Sequence, residues 1–285
     1  MADTIPSPDL NTLISDFIAN LTDQKKSSAT IIAYRKDLFQ LEAFLTRTGK
    51  TNSTDITNLD LEGFLRELGE QHYTAKSQAR KLNAIKGFFR WMRQKSLIAT
   101  DPAFSVPHPK YELSQPRVLS VLEYRALRDT ARSDLRIAAI VEILLQTGIR
   151  ISELASLTLD DISERNITVG TRTIPLNEPA KRAIDDYLKI RQKTDSRHLF
   201  ITKTGRPLLV RNIRAAIERC FAEAGIEKAT VNDLRNTFIV HQLSRGVDLV
   251  TVSRIVGHKR LATTERYLSL VKDRKGTRGN GLSEL

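Results

Sequence analysis

Three short segments in the second half of the chain concentrate side chains able to handle a phosphate. Leu145-Gln-Thr-Gly-Ile-Arg-Ile-Ser-Glu-Leu154 sets Arg150 three residues before Glu153. Asn232-Asp-Leu-Arg-Asn-Thr-Phe238 centres on Arg235, and Val256-Gly-His-Lys-Arg-Leu-Ala-Thr-Thr-Glu-Arg-Tyr267 carries His258 and Tyr267 in one run. A guanidinium offers a planar fork of donors that matches phosphate oxygens in pairs. A carboxylate one helical turn from an arginine can hold that fork in place. A phenol, with a free pKa near about 10, is a usable nucleophile provided it loses its proton as it attacks. Each residue also has a plainer reading by itself: a salt-bridging arginine, a capping or core histidine, a packing tyrosine. Tyr34, Tyr73, Tyr111, Tyr124 and Tyr187 take that plainer reading.

The charge balance narrows the choice of partner. Forty-five Lys and Arg against 33 Asp and Glu give a formal net charge of +12 over 285 residues. A polyanion is the natural counterpart, since each neutralised phosphate releases condensed counterions. Cys220 is the only cysteine, so an intramolecular disulfide and a cysteine-held zinc are both excluded. Its apolar-periodic neighbourhood suits a small buried hydrophobe. Neither a Walker loop nor a carboxylate cluster for two-metal catalysis is evident. The polar, proline-bearing start lacks the layout of a secretory signal, and no apolar run is long enough to span a bilayer. A cytoplasmic protein without a membrane partner is expected.

The elements that must position these residues fall into two regions. Residues 10–100 read as helices between short polar turns. Leu13, Ile14, Phe17, Ile18 and Leu21 mark the first, and the second runs from caps at Ser27 and Ser28 to a stop at Gly49. A third covers about 60–68. The fourth, about 76–95, gathers Leu82, Ile85, Phe88, Phe89 and Met92 on one side and Lys76, Arg80, Lys86, Arg90 and Arg93 on the other. Almost no acidic residue interrupts this cationic face, which suits a surface that follows phosphates as well as a solvated one. Pro102, Pro107, Pro109 and Pro116 then mark a linker. Beyond it, helices at 121–131, 135–146 and 152–157 lead into a β-rich patch at 157–162, 167–169 and 173–176. The remainder reads as helical.

The three segments resemble the sequence boxes of the tyrosine recombinase (phage integrase) family, within it the Xer-like site-specific recombinases. The first is similar to "TGxRxSEL", the second to "HxLRHTF" and the third to "LGHxxxxTTxxY", in the family's order and spacing. The first region, most clearly from Ala79-Arg80 to Trp91-Met92, resembles the family's helical core-binding domain. The fold implied is mostly α with a small β-sheet in the C-terminal domain, arranged as a two-domain, C-shaped DNA clamp. Its parts would be a core-binding domain at 1–104, a proline-rich linker at 105–117 and a catalytic domain at 118–285.

The resemblance implies a site-specific DNA recombinase that cleaves and rejoins DNA through a covalent 3′-phosphotyrosine, with no cofactor and no metal. Tyr267 maps to the nucleophile, and Arg150 and Arg235 to the arginines that bind the scissile phosphate. Glu153 is the accompanying acid, and His258 would donate to the phosphate or position the tyrosine. The implied partner is double-stranded DNA, gripped by a homo-tetramer, with a second recombinase as a possible companion. Lys25, Lys26, Lys76, Arg80, Lys86, Arg90, Arg206, Arg211 and Arg214 form the expected DNA-contacting set, mostly through phosphates. The tail, with Lys272, Arg274, Lys275 and Arg278 before Gly281-Leu-Ser-Glu-Leu285, is similar to the segment that docks onto a neighbouring protomer; a disordered basic tail is the other reading.

Two family features are absent. Asn232 stands where the second box opens on histidine; it can donate a hydrogen bond but cannot take a proton near neutral pH. The hairpin lysine, commonly in "GKGxK" and general acid to the leaving 5′ oxygen, is missing from Val169-Gly-Thr-Arg-Thr-Ile-Pro-Leu176. Arg172 is nearest in sequence, and Lys203 lies in a later turn. These departures leave a second function class open, a cleavage-deficient DNA-binding regulator or accessory subunit on a recombinase scaffold. A type IB topoisomerase shares the chemistry but fits the helical first region and the box spacing less well.

Overall fold

The computed structural model describes residues 9–112, 114–271 and 285, and these divide between two compact units, Met1–Leu113 and Ser114–Leu285. In the first, α1 (Leu10–Asp23), α2 (Ser28–Arg47), α3 (Asn58–Glu70) and α4 (Ala75–Gln94) bury one apolar face each. Every one of these helices starts at a side chain that satisfies a free backbone amide. Asp9, Ser27 and Thr74 accept from the residue three ahead, and Thr57 and Asp60 cap each other reciprocally. Thr57 draws the start of α3 back to Asn58, ahead of the residue-60 start expected from its apolar pattern. Phe17, Leu38, Leu41, Phe64, Leu82, Ile85, Phe88 and Phe89 form the core, with Phe17, Phe88 and Trp91 in ring contact. Residues 105–112 carry neither helix nor strand.

The second unit is built around α6 (Leu135–Thr147), flanked by α5 (Val121–Ala131), α8 (Glu178–Ile190) and α10 (Val231–Ser244). Most residues of α6 and α10 are buried, as befits helices enclosed on nearly all sides. The short α7 (Ile151–Ser156) leads to the hairpin of β1 (Asn166–Val169) and β2 (Arg172–Pro175), paired antiparallel with Val169 opposite Arg172. The stretch 157–162, expected to be β-rich, instead holds a 3-10 turn at Leu159–Asp161 between single bridges from Thr158 to His198 and Ile162 to Ile167. Asp161 caps that turn by accepting from the Thr158 amide and hydroxyl, which bends the chain out of extension. Then follow α9 (Val210–Glu223), α11 (Leu249–Val256) and α12 (Ala262–Glu265). Cys220 is buried on α9.

Gly148 ends α6 in the left-handed conformation, φ +62°, where an L side chain is strained. A Cβ there would also lie 2.3 Å from the Phe238 ring on α10. The close approach of α6 and α10 at this point brings the residue before Ile149-Arg150 against the helix carrying Arg235. Lys272, Arg274, Lys275, Arg278 and 281–284 lie outside the described residues. Of the tail, Leu285 is described: its amide donates to Gln146 Oε1 at 3.1 Å, and its main-chain oxygen accepts from Arg128 at 2.8 Å. No helix among the described residues is long and apolar enough to cross a membrane.

Candidate active site

Arg150 sits at the N-cap of α7, and Glu153 reaches back to it. The Glu153 carboxylate accepts from the Arg150 amide at 2.8 Å and from its guanidinium at 2.9 Å. The same carboxylate accepts from Arg172 at 2.5 Å, which ties the hairpin to the first box. Arg235, buried on α10, donates to the Gly148 carbonyl at 2.5 Å and the Val256 carbonyl at 2.6 Å. Arg172 donates to the Ile255 carbonyl at 2.5 Å, and Arg150 to the Gly257 carbonyl at 2.8 Å. Three guanidinium groups from three separate elements therefore end on three successive carbonyls, 255, 256 and 257. These are carbonyls at the C-terminal end of α11, where the helix dipole is negative and its last acceptors lack helical donors. Gly257 is required here twice over: its φ is +68°, and a Cβ would lie 2.8 Å from the Arg172 guanidinium carbon.

This arrangement sets the local electrostatics. Arg150 and Arg172 pair with one carboxylate, Glu153, while Arg235 is bound only to carbonyls, leaving a surplus of positive charge in the cluster. Burial opposes ionisation of Glu153, but the Arg150 amide and the Arg172 and Arg150 guanidinium groups hold its carboxyl below the ordinary range. Burial, reinforced by Arg150, pushes Arg235 down to about 10, still protonated at neutral pH. Burial and then Arg235 and Arg150 push His258 down to about 4, so its ring is neutral at physiological pH. Its Nδ1 pairs with Thr264 Oγ1 at 2.8 Å, and the ring stacks on Tyr267 with centroids 6.3 Å apart.

The His258 shift carries a sign. The ring's folded value, about 4, lies below the 6.5 of an unperturbed imidazole. Its contribution to stability is complete above pH ~6.5 and is lost as pH falls through ~4. The melting temperature of the DNA-free protein is expected to fall across that window more steeply than that of His258→Gln. Identical slopes in the two proteins would remove His258 as the cause.

Tyr267 is buried, and its hydroxyl donates to Asn236 Oδ1 at 2.9 Å. Burial raises its phenol above the ordinary value, partly offset by Arg235. The helix between His258 and Tyr267, α12, spans only Ala262–Glu265, so Tyr267 lies beyond it, at the entry to a 3-10 turn over Leu268–Leu270. Asn232, at the exposed start of α10, donates to the same Asn236 oxygen at 3.3 Å. Arg150, Asn232 and Arg235, with Arg214 from α9, line an open cleft of about 400 Å³. Asn236 and the carbonyls of Ile255, Val256 and Gly257 belong to the site although none was singled out in the sequence. Asn236 lies inside a quoted box, beside Arg235, but the carbonyls have no residue-type signal at all.

The remaining candidates are dispersed. Lys203 lines a different cavity with Asp134, Arg136 and Tyr187. Arg206, Arg211 and Arg214 are exposed in the second unit. In the first unit Lys25, Lys26, Lys76 and Arg90 are exposed, and Lys86 donates to the Phe104 carbonyl at 3.3 Å. Arg80 is exposed yet engaged by both oxygens of Asp37, itself buried on α2. The neighbouring Lys81, buried, donates to Asp37 at 2.8 Å and to Gln40 at 2.7 Å, so the cationic face of α4 is anchored by an acid from another helix.

Two sequence families match the chain. The phage integrase family covers residues 117–274, and the phage integrase N-terminal SAM-like domain covers 14–96. The chain belongs to the phage integrase family. A relative named tyrosine recombinase XerC, from Roseiflexus castenholzii, is 31% identical over 282 residues, covering 92% of this chain and 90% of the relative. Among solved structures, XerA recombinase is 29% identical with a TM-score of 0.52, covering 90% of this chain and 93% of that one. A lambda integrase tetramer bound to a Holliday junction has a TM-score of 0.74 at 18% identity, covering 91% and 80%, a likeness of fold.

Proposed function

We propose that this chain is a site-specific DNA recombinase whose Tyr267 attacks a backbone phosphate of duplex DNA. The step forms a Tyr267 Oη–phosphorus bond and breaks the bond to the 5′ oxygen, leaving a 3′-phosphotyrosine and a free 5′ hydroxyl. The phenol gives up one proton and the departing oxygen takes one, so the step balances. Reversal by an incoming 5′ hydroxyl rejoins the strand without an external energy source. The observation that carries this reading is the convergence of Arg150 and Arg235 on one structural point, the end of α11, beside the segment bearing His258 and Tyr267.

In this reading the non-bridging oxygens sit in the cleft against Arg150 and Arg235, where fixed donors meet charge as it develops. Glu153 and Arg172 hold that pair in register. The phosphate supplies the negative charge that the cluster lacks, which favours hydrogen-bond donation from His258. Asn232 contributes a donor at the cleft wall. Residues 1–104 act as the core-binding domain, 105–117 as linker and 118–285 as catalytic domain. Lys25, Lys26, Lys76, Arg80, Lys86, Arg90, Arg206, Arg211 and Arg214 contact the DNA backbone. The working assembly is a homo-tetramer in the cytoplasm, by analogy with the lambda integrase tetramer on its junction.

The test uses a duplex selected for binding from genomic fragments and nicked next to the recognised site. A covalent protein–DNA species is expected on a denaturing gel, with the nucleotide mapped to the peptide bearing Tyr267. Tight, salt-sensitive binding with no covalent species at any pH would favour the regulator reading instead.

A further inference from the structure

Tyr267 is held by a partner whose orientation is not free. Asn236 Nδ2 donates to the Arg117 carbonyl at 3.0 Å and to the Asp233 carboxylate at 3.2 Å. With both amide hydrogens directed at acceptors, the side chain presents only its oxygen to the tyrosine. The Tyr267 hydroxyl is therefore the donor in the 2.9 Å contact, and its proton points at Asn236. Asn232, one turn earlier on α10, donates to that same oxygen and fills its other lone pair. Both positions are histidine in the box pattern "HxLRHTF", and both are amides here.

An amide oxygen accepts a hydrogen bond but does not take a proton in the pH range where proteins fold. While the contact lasts, Tyr267 keeps its proton and directs it into the protein, on the buried side of α10. We infer that Asn236 is a positioning residue that holds Tyr267 in a protonated, non-attacking state, so that the Tyr267–Asn236 hydrogen bond must break before the phenol can transfer to phosphorus. The inference rests on the reading of Tyr267 as nucleophile. It adds the identity of the group that restrains that nucleophile before DNA is cut. In the step itself the phenolic proton goes to a group other than Asn236, and the oxygen–phosphorus bond forms as the bond to the 5′ oxygen breaks.

Two readouts separate this inference from the reading beneath it. The first needs no DNA: nitration of the intact protein by tetranitromethane, followed tyrosine by tyrosine in the peptide digest. Tyr267 is expected to react far more slowly than the exposed Tyr73 and Tyr111, and Asn236→Ala is expected to accelerate it specifically. The second is single-turnover formation of the covalent species on saturating nicked DNA between pH 6 and 10. Breaking one hydrogen bond of ordinary net strength corresponds to a gain of about two- to tenfold in Asn236→Ala. Asn236→His offers an acceptor that can take the proton, and its rate is expected to fall off less toward low pH than that of the wild type. Wild-type Tyr267 nitrating as fast as Tyr111 would overturn the inference. So would slower cleavage in both variants with an unshifted pH profile, the mark of a purely structural amide. Protection of Tyr267 that is relieved in Asn236→Ala, in a protein forming no covalent species, would support the restraint and reject the nucleophile.

Discussion

Tyr267→Phe is expected to bind target DNA with wild-type affinity and to form no covalent species. The five other tyrosines do not replace it: the site is assembled around the one phenol stacked on His258 and linked to α10. In the proposed mechanism Tyr267 is the covalent nucleophile, and its loss removes the reaction path rather than slowing it, so the fall is at least about four orders of magnitude. The ring is retained, so the packing against His258 and the neighbouring apolar cluster survives. The stability change is confined to the lost hydrogen bond to Asn236, about 1 kcal/mol, and a thermal melt checks that the variant is folded. Gel shift and denaturing gel on the same nicked duplex give the two readings side by side. A covalent species persisting in Tyr267→Phe would show that another residue attacks.

Arg235→Ala carries the second large effect, and it acts on the fold and the chemistry together. Its guanidinium is the sole bridge described between the end of α6, at Gly148, and the end of α11, at Val256. Truncation leaves two buried carbonyls without that donor and widens the cleft that Arg235 lines with Arg150 and Asn232. Each unsatisfied carbonyl costs about 1–3 kcal/mol, and the sum is on the order of 3–5 kcal/mol. That corresponds to a melting temperature lower by roughly 10 °C. The chemical loss is separate: removing one preorganised donor lowers the cleavage rate by about 10²–10³. Arg235→Lys distinguishes the two contributions. Its single ammonium can reach one of the two carbonyls, so part of the stability returns while the bidentate hold on phosphate does not. Equal recovery of stability and cleavage in Arg235→Lys would contradict a fork-dependent role.

The geometry also changes the meaning of the missing hairpin lysine. The residue nearest to it in sequence, Arg172, is half-buried and bound to Glu153 and to the Ile255 carbonyl. An arginine so placed cannot serve as a ready proton donor, but it stiffens the carboxylate that orients Arg150. Gly257, which leaves room for that guanidinium, is as much a part of the hairpin's attachment as of the helix end. The chain thus keeps the cationic cluster, while Asn232 and Arg172 stand where the resembled box and hairpin carry histidine and lysine.

Much of this protein was legible locally. The start of α2 follows from Ser27, because a cap is decided within three or four residues, whereas the apolar pattern alone put the start of α3 near 60 and missed the Thr57–Asp60 cap. The apolar face of α4 follows from its helical period, and the three boxes announce Arg150, Arg235, His258 and Tyr267 by residue type and spacing. What the linear order could not settle depends on contacts between residues far apart along the chain. The stretch 157–162 has strand-like composition yet turns, because Asp161 captures Thr158. Arg80 reads as one of a free cationic row, but Asp37, on another helix, engages it. The meeting of three arginines on carbonyls 255 to 257 uses main-chain atoms, which every residue possesses and no composition reveals. The direction of the Tyr267 proton follows from what lies behind Asn236, two acceptors supplied by Arg117 and Asp233. Residue types and their periods specify which groups are present and how each helix begins. Only the packing of α6, α10 and α11 decides which donors find which acceptors, since a buried polar group must be satisfied by whatever the fold brings to it.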